Sequence, residues 1–82
     1  MNRDDIKKTI LDSLSNNIGK IILEETDFFS SDVDSLDILE TIYEVEEKYN
    51  FRVDDFEIAT TVFNTPKDLI DLCMIFIKNK ND

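Results

Sequence analysis

Ser35 sits in the run Asp34-Ser35-Leu36-Asp37, after the loop Thr26-Asp27-Phe28-Phe29-Ser30-Ser31-Asp32-Val33 and at the opening of an acidic amphipathic stretch. A serine or cysteine attacks a substrate only when a base, usually histidine, activates it. The chain has no histidine. Its single cysteine, Cys73, lies within an apolar helical run, where a thiol is expected to be packed and inert. One Cys without His also fails to fill an ordinary zinc site. The acid pair Glu46-Glu47 has the chemistry for proton transfer, yet it is expected on an exposed helix with no pocket. The spacing Asp32-x-Asp34 invites calcium. An EF-hand loop starting there requires an oxygen ligand at its fifth position, Gly at its sixth and Glu at its twelfth. Those positions hold Leu36, Asp37 and Tyr43. No catalytic residue and no metal ligand is therefore expected.

What remains for Ser35 is to accept a group rather than to attack one. An acceptor needs exposure, a rigid helix end to present it and a surface that its modifier recognises. The competing role is a plain N-cap hydroxyl, the commonest use of Ser at a helix start. The local sequence leaves both roles open.

Charge bears on the recognition surface. Residues 24–57 hold 13 acids against two bases, Lys48 and Arg52, for a local net of 2 − 13 = −11. The remainder holds six acids and seven bases, +1, which together give the overall −10. Such a field repels nucleic acid phosphates and speeds encounter with basic protein surfaces. It fixes the sign of the partner and not its identity.

The elements that position Ser35 follow from caps and periodicity. Eighty-two residues, 41% of them hydrophobic, with one Gly and one Pro, read as a mostly helical single domain near the lower size limit for one core. The first helix is expected to start at the cap Asn2 and stop at Gly19, burying Ile6, Ile10, Leu11, Leu14 and Ile18. A long connection follows, and its apolar Ile21, Ile22, Leu23, Phe28 and Phe29 are expected to pin it to the core. The second helix is expected over about Ser35–Tyr49, capped by Asp34 or Ser35. Its core stripe is Ile38, Ile42, Val45 and Tyr49. Leu36, Leu39 and Tyr43 form a second apolar strip beside Asp37, Glu40, Glu44 and Glu47. That strip is either the edge of a broad core face or a docking patch rimmed by carboxylates. Asp54-Asp55 is placed to start a short helix that the β-branched run Thr60-Thr61-Val62 limits. Thr65-Pro66 with Asp68 marks the start of the last helix. Neither an apolar run long enough to span a membrane nor a signal-peptide pattern is visible, and one cysteine demands no oxidising compartment, so a cytoplasmic location is expected.

Taken in order, nearly the whole chain resembles an acyl carrier protein. The pieces are the N-terminal helix, the long loop with Asp27-Phe28-Phe29, then Asp34-Ser35-Leu36-Asp37 running into Leu39-Glu40 and Val45-Glu46-Glu47-Lys48-Tyr49, and finally the irregular segment and the Thr-Pro-started helix. The resemblance implies an all-α four-helix bundle of three main helices and one short one, a single carrier domain over residues 1–82. It implies that Ser35 carries 4′-phosphopantetheine, taken from coenzyme A by a phosphopantetheinyl transferase and joined through a phosphodiester. Acyl groups would ride as thioesters on the terminal thiol of that arm, for fatty acid or related specialised biosynthesis. Asp32, Asp34, Leu36, Asp37, Leu39, Glu40, Tyr43, Glu44 and Glu47 would form the surface that meets loading ligases and acyl-transfer enzymes with basic faces. Ile42, Val45, Phe63 and Ile70 would line a shelter for the loaded chain. No nucleic acid partner and no membrane insertion are expected, and the chain is expected to be a monomer. Two departures stand out. The family commonly has Gly three residues before the serine, where this chain has Asp32. The stretch leading to Phe63-Asn64-Thr65-Pro66 looks more like D-alanyl, aminoacyl or peptidyl carriers.

Two alternatives from other classes use the same charge. An acidic protein that mimics DNA on a basic partner would have no use for Ser35 and would tolerate Ser35→Ala. A calcium-responsive module would be stabilised by calcium and not by magnesium or salt. Self-repulsion within residues 24–57 leads to a first prediction. The melting temperature should rise with ionic strength between about 0.01 and about 0.5 M salt, as the Debye length falls below the spacing of the charges. A melting temperature indifferent to salt would contradict it.

Overall fold

The computed structural model describes residues 2–80, among which there are four helices and no strand. Helix α1 spans Arg3–Ile18, α2 Ser35–Tyr49, α3 Asp55–Thr60 and α4 Pro66–Lys80. The expected architecture of three long helices and one short one is thus observed.

Each helix starts and stops on chemistry that the sequence carries. Asn2 caps α1 by accepting from the Asp5 N–H at 3.0 Å, while the Asp5 carboxylate accepts from the Asn2 N–H at 3.2 Å. Gly19 ends α1 in the left-handed conformation (φ 77°), where a Cβ would be strained, and its N–H reaches the Ser15 carbonyl. Asn50 ends α2 the same way at φ 55°. Asp54 caps α3 through the Phe56 N–H at 2.7 Å, and α3 stops before the extended Thr61, as its β-branched neighbourhood requires. The Asp68 carboxylate accepts from the Asn64 and Thr65 N–H groups at 2.8 and 3.2 Å, closing the start of α4 around Pro66.

Helix α1 packs against both α2 and α4. Its Ile6, Ile10 and Leu14 are fully buried against a core that includes Ile42 and Val45 of α2 and Leu69, Ile70, Cys73 and Ile77 of α4. Burying each large aliphatic side chain contributes about 1.5–3 kcal/mol. Leu11, Ile18, Ile38 and Tyr49 are only partly buried at the edge of this core. Polar groups within the seam are paired: Ser13 with Thr41 at 3.2 Å, and Thr9 with the Tyr49 hydroxyl at 2.9 Å. Cys73 is buried as expected, and desolvation, with Glu46 second, pushes its thiol up to about 12.

The long connection departs from expectation in how it is held. Ile22 and Phe28 go into the core, but Ile21, Leu23 and Phe29 are exposed. The backbone explains Phe29. The Phe28 carbonyl accepts from both Ser31 and Val33 N–H groups, and the Phe28 N–H donates to the Asn64 carbonyl at 2.9 Å. A turn clamped on Phe28 sends its neighbour outward. Much of the pinning is polar instead. Glu24 takes a two-pronged contact from the Arg3 guanidinium at 2.8 and 3.3 Å, pairs with Lys7 at 3.2 Å, and accepts the Lys67 N–H on its carbonyl. The Ile22 N–H donates to the Ser15 hydroxyl at 3.0 Å. One further correction concerns Glu46, expected on an exposed face. It is buried, because the chain after α2 folds back over it: its carboxylate accepts from the Val53 N–H at 2.7 Å and faces Arg52 at 3.7 Å.

The Glu24 cluster has a pH signature. Hydrogen bonds from Arg3, then Lys7, hold the Glu24 carboxyl at about 2, well below its ordinary 4.5. A carboxyl whose pKa is depressed by folding favours the folded state above its unfolded value, and that contribution disappears as pH falls through the folded value. The stability difference between the wild type and Glu24→Gln should therefore be largest above about pH 5 and shrink towards about pH 2. Thermal melts of both proteins across that range check it; a constant difference would refute the coupling.

Candidate functional site

The start of α2 is set by two carboxylates that cap one another's backbone. Asp34 is extended (φ −101°, ψ 176°) and its carboxylate accepts from the Asp37 N–H at 3.0 Å. The Asp37 carboxylate accepts from the Asp34 N–H at 3.1 Å. Asp34 is therefore the cap and Ser35 the first helical residue. Ser35 is exposed, and no hydrogen bond among the described residues engages its hydroxyl. The choice that the sequence left open between Asp34 and Ser35 as cap is resolved in favour of Asp34.

The approach to this corner needs a left-handed residue, and that residue is Asp32 at φ 60°. The conformation suits Gly best and is open to Asp, whose short polar side chain tolerates it. This accounts for Asp32 standing where carrier proteins commonly have Gly. Its exposed carboxylate lies 3.5 Å from Lys20 Nζ. Val33 then packs inward, and Asp34 and Ser35 face solvent.

Two clefts open on Ser35. One, of about 440 Å³, lies between α2 and α3 and is lined by Leu36, Ile38 and Leu39 with Ile58, Ala59, Thr61 and Phe63. The other, of about 410 Å³, lies between the 27–33 loop and the segment joining α3 to α4. Its walls are Asp27, Phe28, Phe29 and Val33 facing Thr61, Phe63 and Asn64. Ser35, Ile38, Thr61 and Phe63 border both. A larger depression of about 570 Å³ lies further along α2, around Tyr43, Glu46, Glu47 and Arg52, and does not touch Ser35.

The expected shelter residues are not the ones beside the serine. Ile42, Val45 and Ile70 are sealed in the core against α1, with no more than 1% of their surface exposed. Of that set only Phe63 lines a cleft. Ile58, Ala59 and Thr61, which sequence reasoning did not assign to the site, take their place. Helical spacing alone does not say which side of α2 the short α3 lies against.

The second strip of α2 is largely open. Leu36 is 59% and Tyr43 49% exposed, and Leu39 is half-buried at the cleft. That favours a free patch over the edge of a broad core face. Asp32, Asp34, Glu40, Glu44 and Glu47 are exposed; Asp37 is half-buried and committed to the cap. No ion pair among the described residues neutralises Glu40, Glu44 or Glu47. Among the described residues no group of three His, Cys, Asp or Glu side chains is placed to hold a metal. Chemically, the corner offers an unengaged hydroxyl at the positive end of a helix, with no base beside it. It can receive a phosphate, which a helix N-terminus favours, and it cannot initiate attack unaided.

Residues 6–73 match the phosphopantetheine attachment site family, and the chain belongs to that family. No curated protein matches the chain. Membership implies a covalently attached 4′-phosphopantetheine group. The corner fits such a group: an exposed hydroxyl that no structural bond occupies, with open space on both sides of it.

The capping geometry makes the two neighbouring residues separable by mutation. Asp34→Ala should cost about 1 kcal/mol by removing the cap. Ser35→Ala should change stability by less than about 0.5 kcal/mol, because its hydroxyl holds nothing. Denaturant melts of both variants test this; a large loss in Ser35→Ala would mean that the hydroxyl is a structural cap.

Proposed function

We propose that Ser35 is the attachment residue and that the chain works as one carrier domain over residues 1–82. One observation carries this: in a member of the phosphopantetheine attachment site family, Asp34 and Asp37 cap α2 by themselves and leave the Ser35 hydroxyl exposed and unbonded. When bound, the arm supplies a terminal thiol on which an acyl group rides as a thioester. The chain itself presents the arm and supplies the surface that partner enzymes dock to.

Carrier domains of this family are modified by phosphopantetheinyl transferases and work with partner enzymes. The proposed docking surface is the open strip Leu36, Leu39 and Tyr43 with its rim of Asp32, Asp34, Asp37, Glu40, Glu44 and Glu47. The rim's carboxylates, of which Glu40, Glu44 and Glu47 have no ion-pair partner among the described residues, attract a basic enzyme face over distance, and a few exposed apolar side chains give contact without a large buried area. Such contact is brief, which suits a protein that visits several enzymes in turn. Loading ligases and acyl-transfer enzymes with basic faces are the proposed partners, with the chain acting as a monomer in the cytoplasm.

The proposed cargo is an acyl group, for which the cleft of Leu36, Ile38, Leu39, Ile58 and Ala59 offers an apolar wall next to the attachment point. An aminoacyl cargo, D-alanyl included, is the second reading, motivated by the Phe63-Asn64-Thr65-Pro66 connector. Carrier domains of this kind are generally non-catalytic, and nothing at the corner requires this one to be otherwise.

The test is modification. The apo-protein incubated with coenzyme A, magnesium and a broad-specificity phosphopantetheinyl transferase should gain the mass of one phosphopantetheine, and Ser35→Ala should gain none. No gain, alongside a carrier that is modified under the same conditions, would overturn the assignment of Ser35.

A further inference from the structure

The two clefts that border Ser35 differ in what they offer to a tethered chain. Between α2 and α3 the wall is almost wholly aliphatic and aromatic. Apart from Ser35, its one side-chain hydroxyl is Thr61, which already donates to the Glu57 carbonyl at 2.6 Å. The cleft between the 27–33 loop and the α3–α4 connector adds Asp27 and Asn64 to its apolar residues. The Asp27 carboxylate accepts one bond, from the Ser30 N–H at 3.0 Å, while the Asp27 carbonyl accepts from the Ser30 hydroxyl at 3.4 Å, so the carboxylate has acceptor capacity to spare. The Asn64 backbone is fully used, its N–H by Asp68 and its carbonyl by the Phe28 N–H, yet its carboxamide makes no hydrogen bond among the described residues.

A phosphopantetheine arm is not a hydrocarbon: it carries amides and a hydroxyl along its length, plus a pair of geminal methyls. Buried without partners, each of those polar groups is costly. We infer that the resting arm, attached at Ser35, lies in the cleft between the 27–33 loop and the α3–α4 connector, with Asn64 and Asp27 bonding its amides and Phe29 closing over its methyls. It rests on Ser35 carrying the arm.

Three further observations support that seat. The tether starts on a residue that lines the cleft, so no partner has to be recruited from solution and the effective concentration is high. The two walls are already joined by the Phe28–Asn64 main-chain bond, and the loop side is braced by the bonds onto the Phe28 carbonyl, so seating requires little ordering of the walls. Phe29, at 94% the most exposed large apolar side chain among the described residues, lines the cleft, where covering the arm would bury it.

The measurement is a comparison of isotopically labelled apo and holo protein by solution NMR, with intact mass confirming conversion. Holo-minus-apo shifts are expected at the Phe28, Phe29 and Asn64 amides and at the Asn64 side-chain NH₂, with cross-relaxation between the arm's methyls and the Phe29 ring. Shifts confined to residues 34–37 would place the arm in solvent, and contacts to Leu39 and Ala59 would place it between α2 and α3. Either result overturns the seat while leaving Ser35 as the attachment point. Failure to gain mass would remove the attachment and the seat together. In holo Asn64→Ala the Phe29 contacts should weaken about 2- to 10-fold, the effect of one lost hydrogen bond on the seated population. Phe29→Ala disturbs no core packing and should weaken the contacts to Asn64; unchanged contacts in both variants would overturn the proposal.

Discussion

The site depends on the reciprocal bond between Asp34 and Asp37. Every helix start leaves N–H groups that need acceptors, and a serine at such a position is ordinarily drafted to supply one. Here two carboxylates three residues apart satisfy each other's backbone. The helix begins one residue earlier than a serine cap would allow, and Ser35 becomes a helical residue with a spare hydroxyl. Rigidity and availability, which usually conflict, are obtained together because separate residues supply them.

A second constraint is how charge is divided. Most cations are used internally: Arg3 and Lys7 on Glu24, Lys67 on Asp71, Lys8 on Asp12, Lys20 on Asp32, and Arg52 on Glu46. Exposed pairs of this kind add little stability individually. Around Glu24, however, they fix the path of the loop that leads to the corner. What is left over is mostly anionic, and Glu40, Glu44 and Glu47 of that surplus stand exposed on α2. The acidic surplus near Ser35 thus follows from how charges are paired across the whole fold.

The helices and their ends were legible in the sequence because capping is local. Asn2 with Asp5, Gly19, Asp54, and Pro66 with Asp68 each act within a few residues, and the structure uses them as the sequence implied. The long loop was legible only in part. Its apolar residues announce that something is buried, but irregular backbone has no period, so nothing separates Phe28, which goes in, from Phe29, which stays out. The burial of Glu46 did have a signal: it lies four residues after Ile42 and one after Val45, at the edge of the core stripe. The lining of the clefts had none. It depends on where α3 and its connector are laid across α2, and six residues of helix with an exposed Phe56 carry too weak a pattern to show that.

The measurement that bears most directly on this account is peptide-level fragmentation of the protein recovered from cells that also make a phosphopantetheinyl transferase. Ser30 and Ser31 stand in the same loop within a few residues of Ser35, and both are near the surface. If the Asp34–Asp37 cap is what makes one hydroxyl available on a rigid helix end, the phosphopantetheine will be found on Ser35 alone. Its appearance on Ser30 or Ser31, or modification distributed among the three, would contradict the central claim.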